Sequence, residues 1–139
     1  MINKKIKIFL IFLLWLGALF YISEFFLHAF ALRILEHDKI FLPTHDRYIA
    51  LFALTYGVLL ILVSLNLERY KYLFYVMLIG IFLSFLNGLL ISVQGGYAPL
   101  FPVAGLDKKL SILGYIFLIW FVTLIITWFL HNKENKIVS

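Results

Sequence analysis

The chain has 139 residues, of which 64% are hydrophobic and 14% charged, whereas a soluble domain is roughly half apolar and a quarter charged. This composition, with a mean hydropathy of +1.03, excludes a water-soluble globular fold and a disordered chain. The formal charge of +5 is that of a membrane protein whose apolar segments have basic flanks. Nucleic acid is not an expected partner, because no basic face with interleaved aromatic residues lies outside the apolar segments. We therefore expect an all-α integral membrane protein with a single domain over residues 1–139 and no soluble domain.

The spacing of the charged residues divides the chain into four apolar segments. A helix that crosses a bilayer needs ~20 mostly apolar residues. The sequence predicts four such helices in an antiparallel bundle, at about 6–27 (with residues up to 35 as a candidate extension), 48–67, 72–93 and 110–130. Glycine and proline residues end the third segment and form the loop that follows it.

The basic residues predict an orientation in the membrane. On the side of the N-terminus the chain carries seven Lys and Arg residues: Lys4, Lys5, Lys7, Arg69, Lys71, Lys133 and Lys136. The opposite side carries five: Arg33, Lys39, Arg47, Lys108 and Lys109. Because basic residues favour the cytoplasmic side, we expect both termini to be cytoplasmic and the protein to be a multi-pass protein of the plasma membrane.

Helix 3 carries small residues at every fourth position, namely Gly80, Ser84, Gly88 and Ser92. Small residues let two helices approach closely within a membrane. We expect this stripe to pack against another helix of the bundle or against a second subunit, and the sequence leaves the choice open.

Two polar residues lie one turn apart within the first apolar segment. Glu24 and His28 have the i,i+4 spacing that places both on one helix face. An acid inside a membrane segment costs free energy and indicates a functional site when it faces the bundle. Such a pair can share a proton, or the carboxylate can orient a metal-bound imidazole.

The connection between helices 1 and 2 adds two His-Asp pairs, His37-Asp38 and His45-Asp46. Thr44 or Asp46 is also a candidate cap for helix 2. His37, Asp38 and His45 are weak metal-ligand candidates, because their spacing matches no specific metal motif. We expect neither a metal nor another cofactor.

Asn87 of helix 3 falls towards the same half of the membrane. Since an amide in lipid needs a polar partner, Glu24 or His28 is a candidate. The predicted ligand- or proton-binding site comprises Glu24, His28, His45, Asp46 and Asn87.

Three functions agree with these residues. The first is a non-enzymatic membrane protein that binds a ligand, lipid or protein partner in an outward-facing polar pocket. The second is an oligomeric transporter coupled to protons or cations, with Glu24 as the titrating group. The third is a metal-dependent membrane enzyme. The expected partners are the lipid bilayer and either a membrane protein or a second copy of the chain.

Overall fold

The structure is a computed structural model in which the described backbone covers residues 2–30, 32, 43–93 and 106–138. Side chains are described for residues 4–30, 32, 44, 46–83, 85, 86, 112 and 114–133. The described chain forms four helices: α1 (Ile2–Ala29), α2 (Pro43–Leu65), α3 (Lys71–Val93) and α4 (Leu106–Val138). The predicted all-helical architecture is confirmed at this level.

The helix ends differ from those predicted by hydropathy. α1 and α4 are longer than the apolar segments within them, and α1 ends at Ala29, since Phe30 and Leu32 lie outside the helix. Residues 33–35 of the candidate extension lie outside the described residues. Hydropathy predicts only the part of a helix that is apolar enough for lipid. Lys and Glu are good helix formers, so a helix can continue into the charged residues beyond that part. α2 begins at Pro43, where a missing N–H and a fixed φ suit the first helical turn. Thr44 and Asp46 therefore lie inside this turn, and the prediction that one of them caps the helix is wrong.

Three described helical segments are long and apolar enough to cross a membrane: Lys4–Ala29, Asp46–Leu65 and Gly114–Lys133. In α3, the segment Lys71–Leu83 is apolar but shorter. Large apolar side chains, among them Phe12, Phe52 and Ile119, are exposed on the outside of the bundle. A helix with apolar residues all around suits a membrane.

The bundle closes because each helix packs against two others. α1 contacts α2 and α4, and α3 completes the bundle against α2 and α4. The core between them is formed by large apolar side chains, including Leu10, Leu14, Leu60, Phe74, Met77, Ile81 and Leu124. Between α2 and α3, the Asn66 side-chain oxygen accepts a hydrogen bond from the Arg69 N–H at 3.0 Å and stabilises the short connection.

Two glycines outside the predicted stripe permit close approach to α1. A Cβ on Gly57 would lie 3.3 Å from the carbonyl oxygen of Ala18, so α2 lies directly against the α1 backbone. A Cβ on Gly17 would overlap the indole ring of Trp120. That ring is held in place because its Nε1–H donates to the Leu13 carbonyl at 3.2 Å.

The predicted stripe of small residues on α3 is described only at one position. Gly80 faces the ring of Tyr56 on α2, so this position does support close packing between two helices of one chain. The other three positions, Ser84, Gly88 and Ser92, lie outside the residues whose side chains are described. Their role in packing stays a prediction.

We expect Gly17→Ala to destabilise the bundle. The added methyl group meets an indole ring fixed by its hydrogen bond to Leu13. Overpacking of this kind costs ~1–3 kcal/mol, which exceeds the gain of about 0.5–1 kcal/mol from replacing a helical glycine by alanine. The free energy of unfolding in detergent, followed by circular dichroism, measures the loss.

A matched comparison uses Trp120→Leu as the background. There the methyl group meets no ring, and Gly17→Ala should then be neutral or stabilising. Equal losses in the two backgrounds would contradict the proposed contact.

Candidate functional site

A histidine lies between two carboxylates where α1 ends and α2 begins. His28 Nδ1 is 2.8 Å from Asp46 Oδ1 on α2, and His28 Nε2 is 3.4 Å from Glu24 Oε2 on α1. The side chains are 9%, 8% and 16% exposed for His28, Asp46 and Glu24. We refer to these three residues as the His–carboxylate cluster.

The His–carboxylate cluster forms because of two local features, the spacing of two residues on α1 and the residue at which α2 begins. The i,i+4 spacing places Glu24 and His28 on one face of α1. Because α2 begins at Pro43, Asp46 lies in its first turn, where the helix dipole stabilises a negative charge. The structure thus brings together three of the five predicted site residues.

The contacts of the His–carboxylate cluster can be satisfied in more than one protonation state. An imidazolium ring has two N–H donors, whereas a neutral ring has one donor and one acceptor. Both contacts are therefore satisfied when a doubly protonated His28 donates to both carboxylates. They are also satisfied when a neutral His28 donates to Asp46 and accepts from a protonated Glu24. The two states contain the same number of protons and differ only in whether Glu24 or His28 carries one of them.

The geometry of the His–carboxylate cluster does not suit a single metal ion. The carboxylates of Glu24 and Asp46 lie at different nitrogens of the ring and so do not converge on one point. Among the residues whose side chains are described, no group of three or more His, Asp or Glu residues could hold a metal. The weak metal candidates His37, Asp38 and His45 lie outside those residues.

Asn87 and His45 are the two predicted site residues that the structure does not place. Both belong to helices, α3 and α2 respectively, but their side chains lie outside the described set. Their participation in the site stays a prediction.

Glu24 also borders a cavity of about 340 Å³ that all four helices line. We call this cavity the aromatic pocket, because its walls include Phe20, Tyr21, Phe52, Tyr56 and Phe117. The sequence predicted a polar pocket, but the described lining is aromatic with one carboxylate. His28 does not line it, since its ring is directed to Asp46 and Glu24.

Ring contacts and one hydrogen bond position the walls of the aromatic pocket. The ring centroids of Tyr21 and Tyr56 are 4.7 Å apart, and those of Phe20 and Phe117 are 5.5 Å apart in an edge-to-face arrangement. The Tyr56 hydroxyl donates to the backbone carbonyl of Met77 on α3. Sequence reasoning missed these residues, because no spacing rule relates aromatic residues on separate helices.

A second His–carboxylate contact lies at the opposite end of the bundle. His131 Nε2 on α4 is 3.5 Å from Glu68 Oε1, just beyond the end of α2. The imidazole is 4% exposed, whereas the carboxylate is 65% exposed. This pair is separated from the His–carboxylate cluster by the length of α2, roughly 35 Å at 1.5 Å per residue.

Comparison with known proteins gives no match: no family model fits the chain, and neither a curated protein nor a solved structure is similar to it.

We expect Asp46→Ala to lower the free energy of unfolding by about 1–3 kcal/mol, because it leaves the buried Nδ1 of His28 without its acceptor. Asp46→Asn keeps a neutral acceptor oxygen at that position and should cost less. Chemical unfolding in detergent gives the comparison.

Arg47→Gln serves as the control, because Arg47 is an exposed charged residue next to Asp46 in the chain. It should change the stability by less than about 0.5 kcal/mol. If Asp46→Ala behaved like Arg47→Gln, the His28–Asp46 contact would not stabilise the bundle.

Proposed function

We propose that this is a small multi-pass protein of the cell membrane, with four spanning helices and both termini in the cytoplasm. Its three described apolar segments of sufficient length support the insertion. The 23 residues of α3 would extend to roughly 35 Å, more than the ~30 Å of the hydrocarbon core. The excess of Lys and Arg at the end that contains Lys4 and Lys133 supports the orientation.

We propose further that the protein binds a small ligand in the aromatic pocket, on the outer side of the membrane. The observation that carries this proposal is a single carboxylate, Glu24, at the border of an aromatic cavity. The faces of aromatic rings attract cations, and the attraction is strongest where water is excluded. A ligand with a positive charge and apolar substituents would satisfy both the rings and the carboxylate.

A cavity of 340 Å³ falls in the range usual for small-molecule sites, about 300–1,000 Å³. Four of these aromatic rings, those of Phe20, Tyr21, Tyr56 and Phe117, contact one another in pairs across helices and are therefore held in place before a ligand arrives. This arrangement favours binding, because little side-chain freedom remains to be lost.

A second candidate is an oligomeric transporter that couples a cation to protons. Glu24 both lines the aromatic pocket and contacts His28, which can carry the shared proton. A cation in the aromatic pocket would favour the charged form of Glu24, and a proton on Glu24 would disfavour the cation. Such competition for one carboxylate is the minimum requirement for exchange of a proton and a cation. A metal-dependent enzyme has no comparable support, because the carboxylates of Glu24 and Asp46 lie at different nitrogens of the His28 ring and do not converge on one metal position.

We expect Glu24→Gln to weaken the binding of benzyltrimethylammonium by about tenfold or more, because an interaction with a charged group is lost. Calorimetry on the purified protein in a neutral detergent measures the dissociation constant. Glu68→Gln is the matched control, since it makes the same change at the opposite end of the bundle. Unchanged binding in Glu24→Gln, or an equal loss in Glu68→Gln, would refute the proposed site.

Reconstituted vesicles separate the two candidates. If the protein exchanges protons for cations, an inside-acidic pH gradient should drive uptake of benzyltrimethylammonium, and Glu24→Gln should abolish it. Binding without uptake would leave the ligand-binding protein as the function. Uptake that persists in Glu24→Gln would exclude Glu24 as the coupling group.

A further inference from the structure

A second cavity lies at the opposite end of the bundle, between the start of α3 and the turns of α4 that contain Trp128 and Lys133. Its volume is about 580 Å³. We call it the basic-end pocket, because Lys71 and Lys133 both border it. The described linings of this pocket and of the aromatic pocket have no residue in common.

The charges around the basic-end pocket favour an anion. Lys71 and Lys133 are exposed and contribute two ammonium groups. Glu68 is the acid among the described lining residues, and its carboxylate also contacts the imidazole of His131. Two positive side chains and one negative side chain therefore border the cavity, and the net charge of its described lining is positive.

The basic-end pocket also offers neutral hydrogen-bond donors. The Trp128 Nε1–H donates to the Tyr75 hydroxyl oxygen at 3.1 Å. Because that oxygen acts as the acceptor, the hydroxyl hydrogen of Tyr75 is directed elsewhere and can serve a further acceptor. Asn132 adds an amide with two N–H groups. Ammonium, hydroxyl and amide donors around one cavity suit a group with several strong acceptor oxygens, and phosphate is such a group.

We propose that the basic-end pocket binds a phosphate-bearing anion, with Lys71 and Lys133 as the charged contacts and Tyr75 and Asn132 as hydrogen-bond donors. Either a phospholipid headgroup or free phosphate has this chemistry. An apolar ring, Phe129, lines the same cavity and is exposed, which provides a surface for the chain of a lipid. The proposal does not depend on the function assigned to the aromatic pocket.

Native mass spectrometry of the full chain in a mild neutral detergent tests the proposal. The probes are phosphatidylglycerol and phosphatidylcholine with identical acyl chains. We expect the wild type to prefer phosphatidylglycerol on the order of tenfold, because basic residues attract a headgroup with net negative charge. Lys71→Gln with Lys133→Gln should remove the preference, and Lys71→Arg with Lys133→Arg should keep it.

The matched control removes two lysines of the same predicted membrane side that do not border the cavity, Lys4→Gln with Lys5→Gln. It should keep the preference. Equal loss in the control, or a preference that survives Lys71→Gln with Lys133→Gln, would overturn the proposal. Circular dichroism confirms that each variant folds, which is expected because all four lysines are exposed.

Inorganic phosphate distinguishes the two sources of the ligand. Displacement of phosphatidylglycerol by phosphate, but not by chloride at equal ionic strength, would support a site for phosphate itself. Retention of the lipid against both salts would support a lipid site in which the acyl chains contribute to affinity.

Discussion

The contact between His28 and Asp46 joins two helices at one end of the bundle and places a third group, Glu24, beside it. A buried imidazole needs partners for both ring nitrogens, since an unsatisfied buried donor or acceptor costs about 1–3 kcal/mol. In this fold the partners come from both helices, so the position of α2 relative to α1 and the hydrogen bonding of His28 depend on each other. Glu24 is held by the same ring, which places its carboxylate at the border of the aromatic pocket.

The two ends of the bundle have different chemistry around a common apolar core. At the end where α1 meets α2, an imidazole lies between two carboxylates, and the adjoining cavity is aromatic. At the other end, Lys71 and Lys133 border a cavity with neutral donors. The proposed ligands follow from this difference: a cation at the acidic end and an anion at the basic end.

Much of the helical architecture could be predicted from the spacing of charges, because free energy of transfer to lipid depends on the summed apolarity of ~20 residues. The pairing of Glu24 with His28 was predictable for a different reason, since it lies within one turn of one helix. The contact of Asp46 with His28 was not predictable in this way, because the direction of the Asp46 side chain depends on the start of α2 at Pro43.

Contacts between helices could not be predicted in this way. Gly57 lies against α1 and Gly17 of α1 lies against Trp120 of α4, whereas the predicted stripe of small residues lies on α3, where the structure describes Gly80 alone. The need for glycine at position 17 is explained by the ring of Trp120, a residue that lies more than one hundred positions away in the chain. The aromatic pocket likewise combines residues from four helices, and no local rule in the sequence relates them.

The His28–Asp46 contact spans only 18 residues of the chain, and this short span has a consequence for biogenesis. Synthesis starts at the N-terminus, so Glu24 and His28 leave the ribosome before Asp46 does, already one helical turn apart on α1. Once the first turn of α2 follows, the complete His–carboxylate cluster can form before α3 and α4 leave the ribosome. The three residues of the His–carboxylate cluster therefore find partners within the first two helices, which in the proposed membrane topology would lower the cost of inserting these helices together.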